Sequence, residues 1–273
     1  MATVQFRIGN QTAKTAQPLL RPYEFALEKG FDAFEWVSDG RNHGWHELQM
    51  GNADRRRLRQ TSLDRNLTFS VHAPYTASPF TADGLAEILE SIEFGGAVGA
   101  TVVNVHLLAE RGAEAFVAAL TPVLKHARAQ GVRVSLENTP QTAPEDFNAV
   151  FARLARMPEV AGGRVGMCLD MGHANLCPSS RNDYLGFVDR LGTHVPIIHW
   201  HAHENFGDRD SHLPLFTGPS AQDDAGVRGL VWRLVQRGFR GNVVLEQWPQ
   251  PPEQLVQSRE RLRWLIAQMG GTV

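Results

Sequence analysis

Cysteine is nearly absent from this chain. Only Cys168, inside the apolar run VGMCLD, and Cys177, in the segment after it, occur in 273 residues, which is not the pattern of a disulfide-stapled scaffold and fits a reducing cytosol. Long apolar runs are missing as well. No stretch approaches 18 apolar residues, and the start, MATVQFRIGN, has no basic segment followed by an apolar one, so neither a membrane span nor a signal peptide is expected. Charge of one sign is also lacking: 27 Lys and Arg nearly balance 29 Asp and Glu, for a formal net charge of −2. The molecule as a whole therefore exerts no pull on a phosphate backbone, although a local basic patch could still bind one. The glycine-rich G-x-G-x-x-G turn of dinucleotide-binding folds does not occur.

What is present is an ordinary globular composition, 42% hydrophobic and 21% charged, with enough apolar material for a large core. Short β-branched runs alternate with segments of helical period: VQFRIG then 18–29, FDAFEWV then 53–66, LTFSVH then 82–98, and TVVNVH then 113–130. The rhythm continues with VRVSLE and 144–156, RVGMCLD and 182–191, VPIIHWH and 224–237, and NVVLE and 251–268. In LEKGF, ARAQGV and VQRGF a glycine stands where a left-handed helix cap is wanted, with a strand directly after it. Eight such units without a linker predict one domain over 1–273, an α/β (β/α)8 TIM barrel.

Six of the eight expected strands end in a residue able to bind metal: His72, His106, Glu137, Asp170, His201 and Glu246. In a barrel all strand C-termini open on one face, so these side chains, distant in sequence, converge at the mouth. His173, three residues after Asp170, and Asp210 and His212 in DSH extend the set to nine. Any one of them alone reads as a hydrogen-bonded core histidine or a helix-capping carboxylate. Together, unpaired carboxylates and imidazoles in a barrel mouth repel or desolvate one another unless a cation compensates. Mixed oxygen and nitrogen ligands suit Zn, Mn, Co or Fe(II), and a carboxylate-rich subset tolerates Mg.

The other histidines read more plainly. His126 falls on a helix surface, His194 precedes a strand, and His199 lies deeper in the strand that ends at His201. His43, His46 and His203 fall in loops on the active face, where they either touch substrate or lie in solvent. Trp36, Trp45, Trp200 and Trp248 are expected near the same rim, as a stacking surface or as packing. The basic run RRRLR at 55–59 reads as the solvated face of a helix.

VHAPY, LENT, CLDMGHAN, HWHAHEN, DSHLPL and the final LEQW occur in an order that resembles the xylose isomerase-like barrels. That group holds sugar isomerases and epimerases and the endonuclease IV type of abasic-site nuclease. The epimerase branch implies one divalent metal on Glu137, Asp170, His201 and Glu246, with Glu137 and Glu246 doubling as acid and base across the substrate. His173, Tyr75, Trp248 and His203 would then be substrate contacts. The nuclease branch implies three zinc ions on all nine residues. Against the nuclease, the loop APYTASPFTADG carries no basic residue, and Thr76 stands where an apolar wedge would open a duplex. VHLLAERG lacks the His-Pro-Gly turn often found after strand four, and LPLFTGPS replaces the usual Leu-Gly-Glu-Gly, which bears on the substrate pocket. The expectation is a cytoplasmic sugar or sugar-phosphate isomerase or epimerase with one to three divalent ions (Mn, Zn, Co or Mg), a small sugar or polyol substrate, no membrane association, and self-association into a homo-oligomer left open. The alternative is a multi-zinc phosphodiesterase acting on abasic DNA.

Overall fold

Eight parallel strands, each bonded to the next and the last to the first, close into a barrel. The structure, a computed structural model, describes residues 4–38, 47, 50–157 and 162–273; His43, Trp45 and His46 fall outside these. The strands are β1 (Gln5–Gln11), β2 (Ala33–Val37), β3 (Thr68–His72), β4 (Val102–His106), β5 (Arg133–Glu137), β6 (Val165–Asp170), β7 (Ile197–Ala202) and β8 (Arg240–Leu245). Around them run α1 (Arg21–Lys29), α2 (Asn52–Asp64), α3 (Ala82–Val98), α4 (Gly112–Gln130), α5 (Pro144–Leu154), α6 (Met171–Leu176), α7 (Tyr184–Arg190), α8 (Ala225–Gln236) and α9 (Glu253–Gln268).

The αβ turns follow from the glycines noted above. Gly30 and Gly131 cap α1 and α4 at φ 66° and 73°, a left-handed conformation that costs glycine little. Gly9 serves a different need: a Cβ there would come within 2.1 Å of the Ala33 carbonyl oxygen, so its absence lets β1 and β2 approach.

Alternation along each strand divides the side chains between two faces. Phe6, Ile8, Phe34, Trp36, Phe69, Val134, Leu136, Trp200 and Val243 belong to the one large apolar cluster with the helices. The rim placement of Trp36 and Trp200 is therefore corrected: both are buried in that core, because their strand positions alternate with the inward-facing ones. The opposite face is polar. It carries Glu35, Ser70, Asn104, Ser135, His199 and Asn242, all buried, where such barrels commonly hold branched apolar residues.

One helix was not foreseen. The reading of 182–191 as the helix of the sixth unit corresponds to α7, but α6 begins directly after β6. Asp170 is its N-cap and accepts the His173 amide at 2.7 Å, so a single turn starts from the strand end without any apolar period to announce it. The RRRLR run lies in α2 with Leu58 buried and Arg56, Arg57 and Arg59 outward. Among the described residues no helix is long and apolar enough to cross a membrane.

Candidate metal centre

Glu137 lies at the middle of the C-terminal mouth, 1% exposed. His72 Nε2 is 3.1 Å from one of its oxygens, and His106 Nε2 is 3.6 Å from the other. His201 Nδ1 lies 3.3 Å from Glu137, 3.5 Å from Glu246 and 3.8 Å from Asp170. Farther out, Asp210 Oδ2 is 3.2 Å from His173 Nε2 and 3.0 Å from His212 Nε2. The nine residues singled out in the sequence thus come together, because six strand ends, the first turn of α6 and the loop after β7 share one face.

The loop after β7 returns over the mouth through a short antiparallel pairing of Glu204 with Leu213, bonded at 2.8 and 2.9 Å. The Glu204 carboxylate fastens the next turn by accepting the amides of Phe216, Gly218 and Ser220. These bonds hold Asp210 and His212 over the barrel.

The second nitrogen of each imidazole tests whether a metal fits. His72 Nδ1–H donates to the Ala73 carbonyl at 2.6 Å, that of His173 to Asn138 O at 2.8 Å, and that of His212 to Glu246 O at 3.1 Å. His201 turns Nε2 to within 2.9 Å of Glu35 Oε1. In His72, His173 and His212 one ring nitrogen is thus committed as a donor to a backbone carbonyl, and the other presents a lone pair to carboxylate oxygens. Lone pairs facing carboxylates repel unless a cation stands between them, and a histidine ligand commonly has its other N–H bound in this way. Subsets of these atoms lie within 4.8 Å of one another: His72, Glu137 and His201; Asp170, His201 and Glu246; and His173, His203, Asp210 and His212.

Proton affinities show the same strain. Burial pushes the His72 imidazole down, but Glu137 more than reverses this and lifts it to about 8. Burial likewise opposes charge on His212, and Asp210 and Glu246 raise it to about 10. Burial would raise Glu137, Asp170 and Asp210; the imidazoles around them hold all three well below the carboxylate range. The cluster binds protons where it would otherwise bind cations.

One contributor escaped the sequence reading, and a second was given a different setting. Glu35 on β2 is fully buried and touches His199 at 2.8 Å as well as His201. Its signal was alternation with Ala33 in FDAFEWV. His203, expected in a loop as a substrate contact or in solvent, is fully buried, which removes the solvent placement, and it lines a second pocket with Met171 and Tyr184. His199, His201 and His203 recur at every second position, so all three share the inward face. The His203 ring lies on Gly172, where a Cβ would come within 2.1 Å of its Cε1, and its Nε2 donates to Asp170 Oδ2 at 3.0 Å.

Beside the cluster opens a pocket of about 710 Å³ whose wall includes Tyr75, His106, Glu110, Thr139, His173 and Asp210. Tyr75 is exposed there. Trp248 does not join it: its ring packs edge-on against Phe25 at 5.4 Å.

Fold and site define a parallel (β/α)8 barrel whose C-terminal mouth concentrates carboxylates and imidazoles suited to divalent metal. The chain belongs to the xylose isomerase-like TIM barrel family, whose family model matches residues 23–268. It resembles the solved D-tagatose 3-epimerase-like protein, with 21% identity, TM-score 0.74, and coverage of 96% of this chain and 98% of that one. It also resembles the IOLI protein with a bound zinc atom, at 14% identity, TM-score 0.70, and coverage of 96% and 99%. At these identities the likeness is one of fold. Among curated sequences, the uncharacterized protein MJ1311 of Methanocaldococcus jannaschii is 26% identical over 133 residues, spanning 46% of this chain and only 41% of that protein.

Proposed function

We propose that the protein is a divalent-metal-dependent isomerase or epimerase of a small sugar or polyol, with Glu137 and Glu246 as its acid–base pair. The observation that carries this is the ring of Glu137, Asp170 and Glu246 within 3.8 Å of His201 Nδ1, next to a pocket of sugar size. These four residues would hold the ion, of Mn, Zn, Co or Mg type, and it would supply the positive charge that acidifies a C–H beside a carbonyl. The sugar epimerases among the structurally similar proteins support the same chemistry.

The two glutamates are unequally free. Glu137 is held by Asn104 Nδ2 and by four imidazoles. Glu246 Oε2 accepts no hydrogen bond among the described residues, with the His201 and His203 imidazoles 3.5 Å away, which leaves it the less tightly held of the two. His173 and Tyr75 line the pocket and would orient the substrate hydroxyls.

A second reading, phosphodiester hydrolysis, is favoured by one observation: the His72–His106 and His173–Asp210–His212 groups exceed the needs of a single ion. The pocket wall opposes it, since Glu110, Asp146 and Asp210 would repel a polyanion. The deciding experiment combines elemental analysis with solvent-deuterium incorporation into a panel of aldoses and ketoses, run beside cleavage of an abasic-site oligonucleotide. Deuterium exchange that disappears in Glu246→Gln with the fold intact supports the proposal. Cleavage without exchange transfers the chain to the second reading.

A further inference from the structure

The end of the barrel opposite the metal cluster has a charge pattern of its own. Alternation puts Arg133 in the same column as Ser135 and Glu137, and Arg240 in the same column as Asn242. Arg7 on β1 and His199 on β7 are both in register with Asn242. Arg7, Arg133, Arg237, Arg240 and Asn242 all line one depression of about 620 Å³ at the N-terminal mouth. Strand alternation thus delivers carboxylates to one end of the barrel and guanidinium groups to the other.

Among the described residues, none of these four arginines is ion-paired. Arg7 is bonded to the carbonyls of Asp32 and Asn66, and Arg237 to those of Leu191 and Gly192. Asp189 acts on Arg237 only at longer range. Arg133 is half-buried, and loss of solvation pushes its guanidinium down with no carboxylate to counter it. Asn242 Nδ2, also in the depression, is buried with no hydrogen-bond partner. An unsatisfied buried donor costs about 1–3 kcal/mol, so its presence beside unpaired guanidinium groups calls for an acceptor that carries charge. Planar donor forks match the paired oxygens of phosphate, sulfate or carboxylate.

We propose that the N-terminal mouth binds a small oxyanion of the phosphate or sulfate type, gripped by Arg133 and Arg240 and completed by Asn242 Nδ2. The depression is recessed among strand starts, which suits a compact anion better than a polymer. This site is independent of the metal cluster and of the function proposed for it.

The test is calorimetric titration of the full chain with inorganic sulfate, a weak metal ligand, at low ionic strength. One saturable site is expected, weakened at least tenfold in Arg133→Gln and in Arg240→Gln, partly restored in Arg133→Lys, and retained in Glu246→Gln. If Arg133→Gln fails to fold by circular dichroism, Arg240→Gln decides, since it replaces an exposed side chain at a strand start. Absence of saturable binding overturns the proposal. So does binding that Glu246→Gln abolishes and the arginine variants leave intact, or arginine-dependent binding confined to a DNA duplex.

Discussion

Glu35 Oε1 lies 2.9 Å from His201 Nε2, with both side chains fully buried. The other oxygen of Glu35 takes His199 Nε2 at 2.8 Å, so one carboxylate on β2 orients two imidazoles on β7 from across the barrel. His201 Nδ1 is thereby aimed at Glu137, Asp170 and Glu246.

Glu35→Gln keeps the volume and removes the charge. Metal affinity is expected to fall by about 10–100-fold, the usual consequence of losing an orienting partner, while the far-ultraviolet spectrum stays that of the parent. Competition against a chromophoric chelator measures it, and an unchanged affinity removes Glu35 from this role.

Gly172→Ala puts a methyl group where the His203 ring now lies, 2.1 Å from Cε1. The ring is displaced from Asp170, at an expected cost of about 1–3 kcal/mol for overpacking. A urea midpoint equal to the parent's would mean that His203 shifts without penalty.

The pH dependence of the metal-free chain follows from the same cluster. His72 and His212 titrate at about 8 and about 10, above the ordinary imidazole value of about 6.5. Their stabilising contribution is complete below that ordinary value and is lost as pH rises through the two folded values. Glu137 and Asp170 are held below the ordinary range, so their contribution is complete above pH ~4.5 and is lost as pH falls below it. Metal-free stability is therefore expected to peak near pH ~5–6 and to decline toward pH ~9. Urea unfolding across that interval tests it, and a rise from pH 6 to 9 contradicts it.

Metal itself should reverse that decline. Protons and a divalent ion compete for the same nitrogens, so affinity rises with pH. An ion at about a hundred times its Kd adds about 2.7 kcal/mol, or roughly 5–10 °C in Tm for a chain this long. Scanning calorimetry before and after chelation at pH 8 reads it, and no shift on rebinding would count against a metal centre.

Much of this was legible in one dimension. Eight runs of period two, glycines after helical segments and six chemically capable strand ends are local features, and a parallel barrel converts their shared position at the strand end into a shared place in space. Glu35 escaped because it does not end its strand, and the burial of His203 was not foreseen because it follows its strand directly; the importance of both lies in partners on other strands. Trp36 and Trp200 were misplaced because nearness to a strand end says nothing about which face a side chain takes, and α6 escaped because a helix of one to two turns has no period to read.

The sequence by itself determined the barrel and the identity of its metal-type donors, since strand alternation, helix caps and strand-end chemistry are set by neighbours in the chain. Tertiary structure decided which nitrogen of each imidazole faces the cluster, which carboxylate orients His201, and that unpaired arginines gather at the opposite mouth. Those outcomes depend on contacts between strands far apart in sequence, and only closing the sheet brings them within a few ångströms.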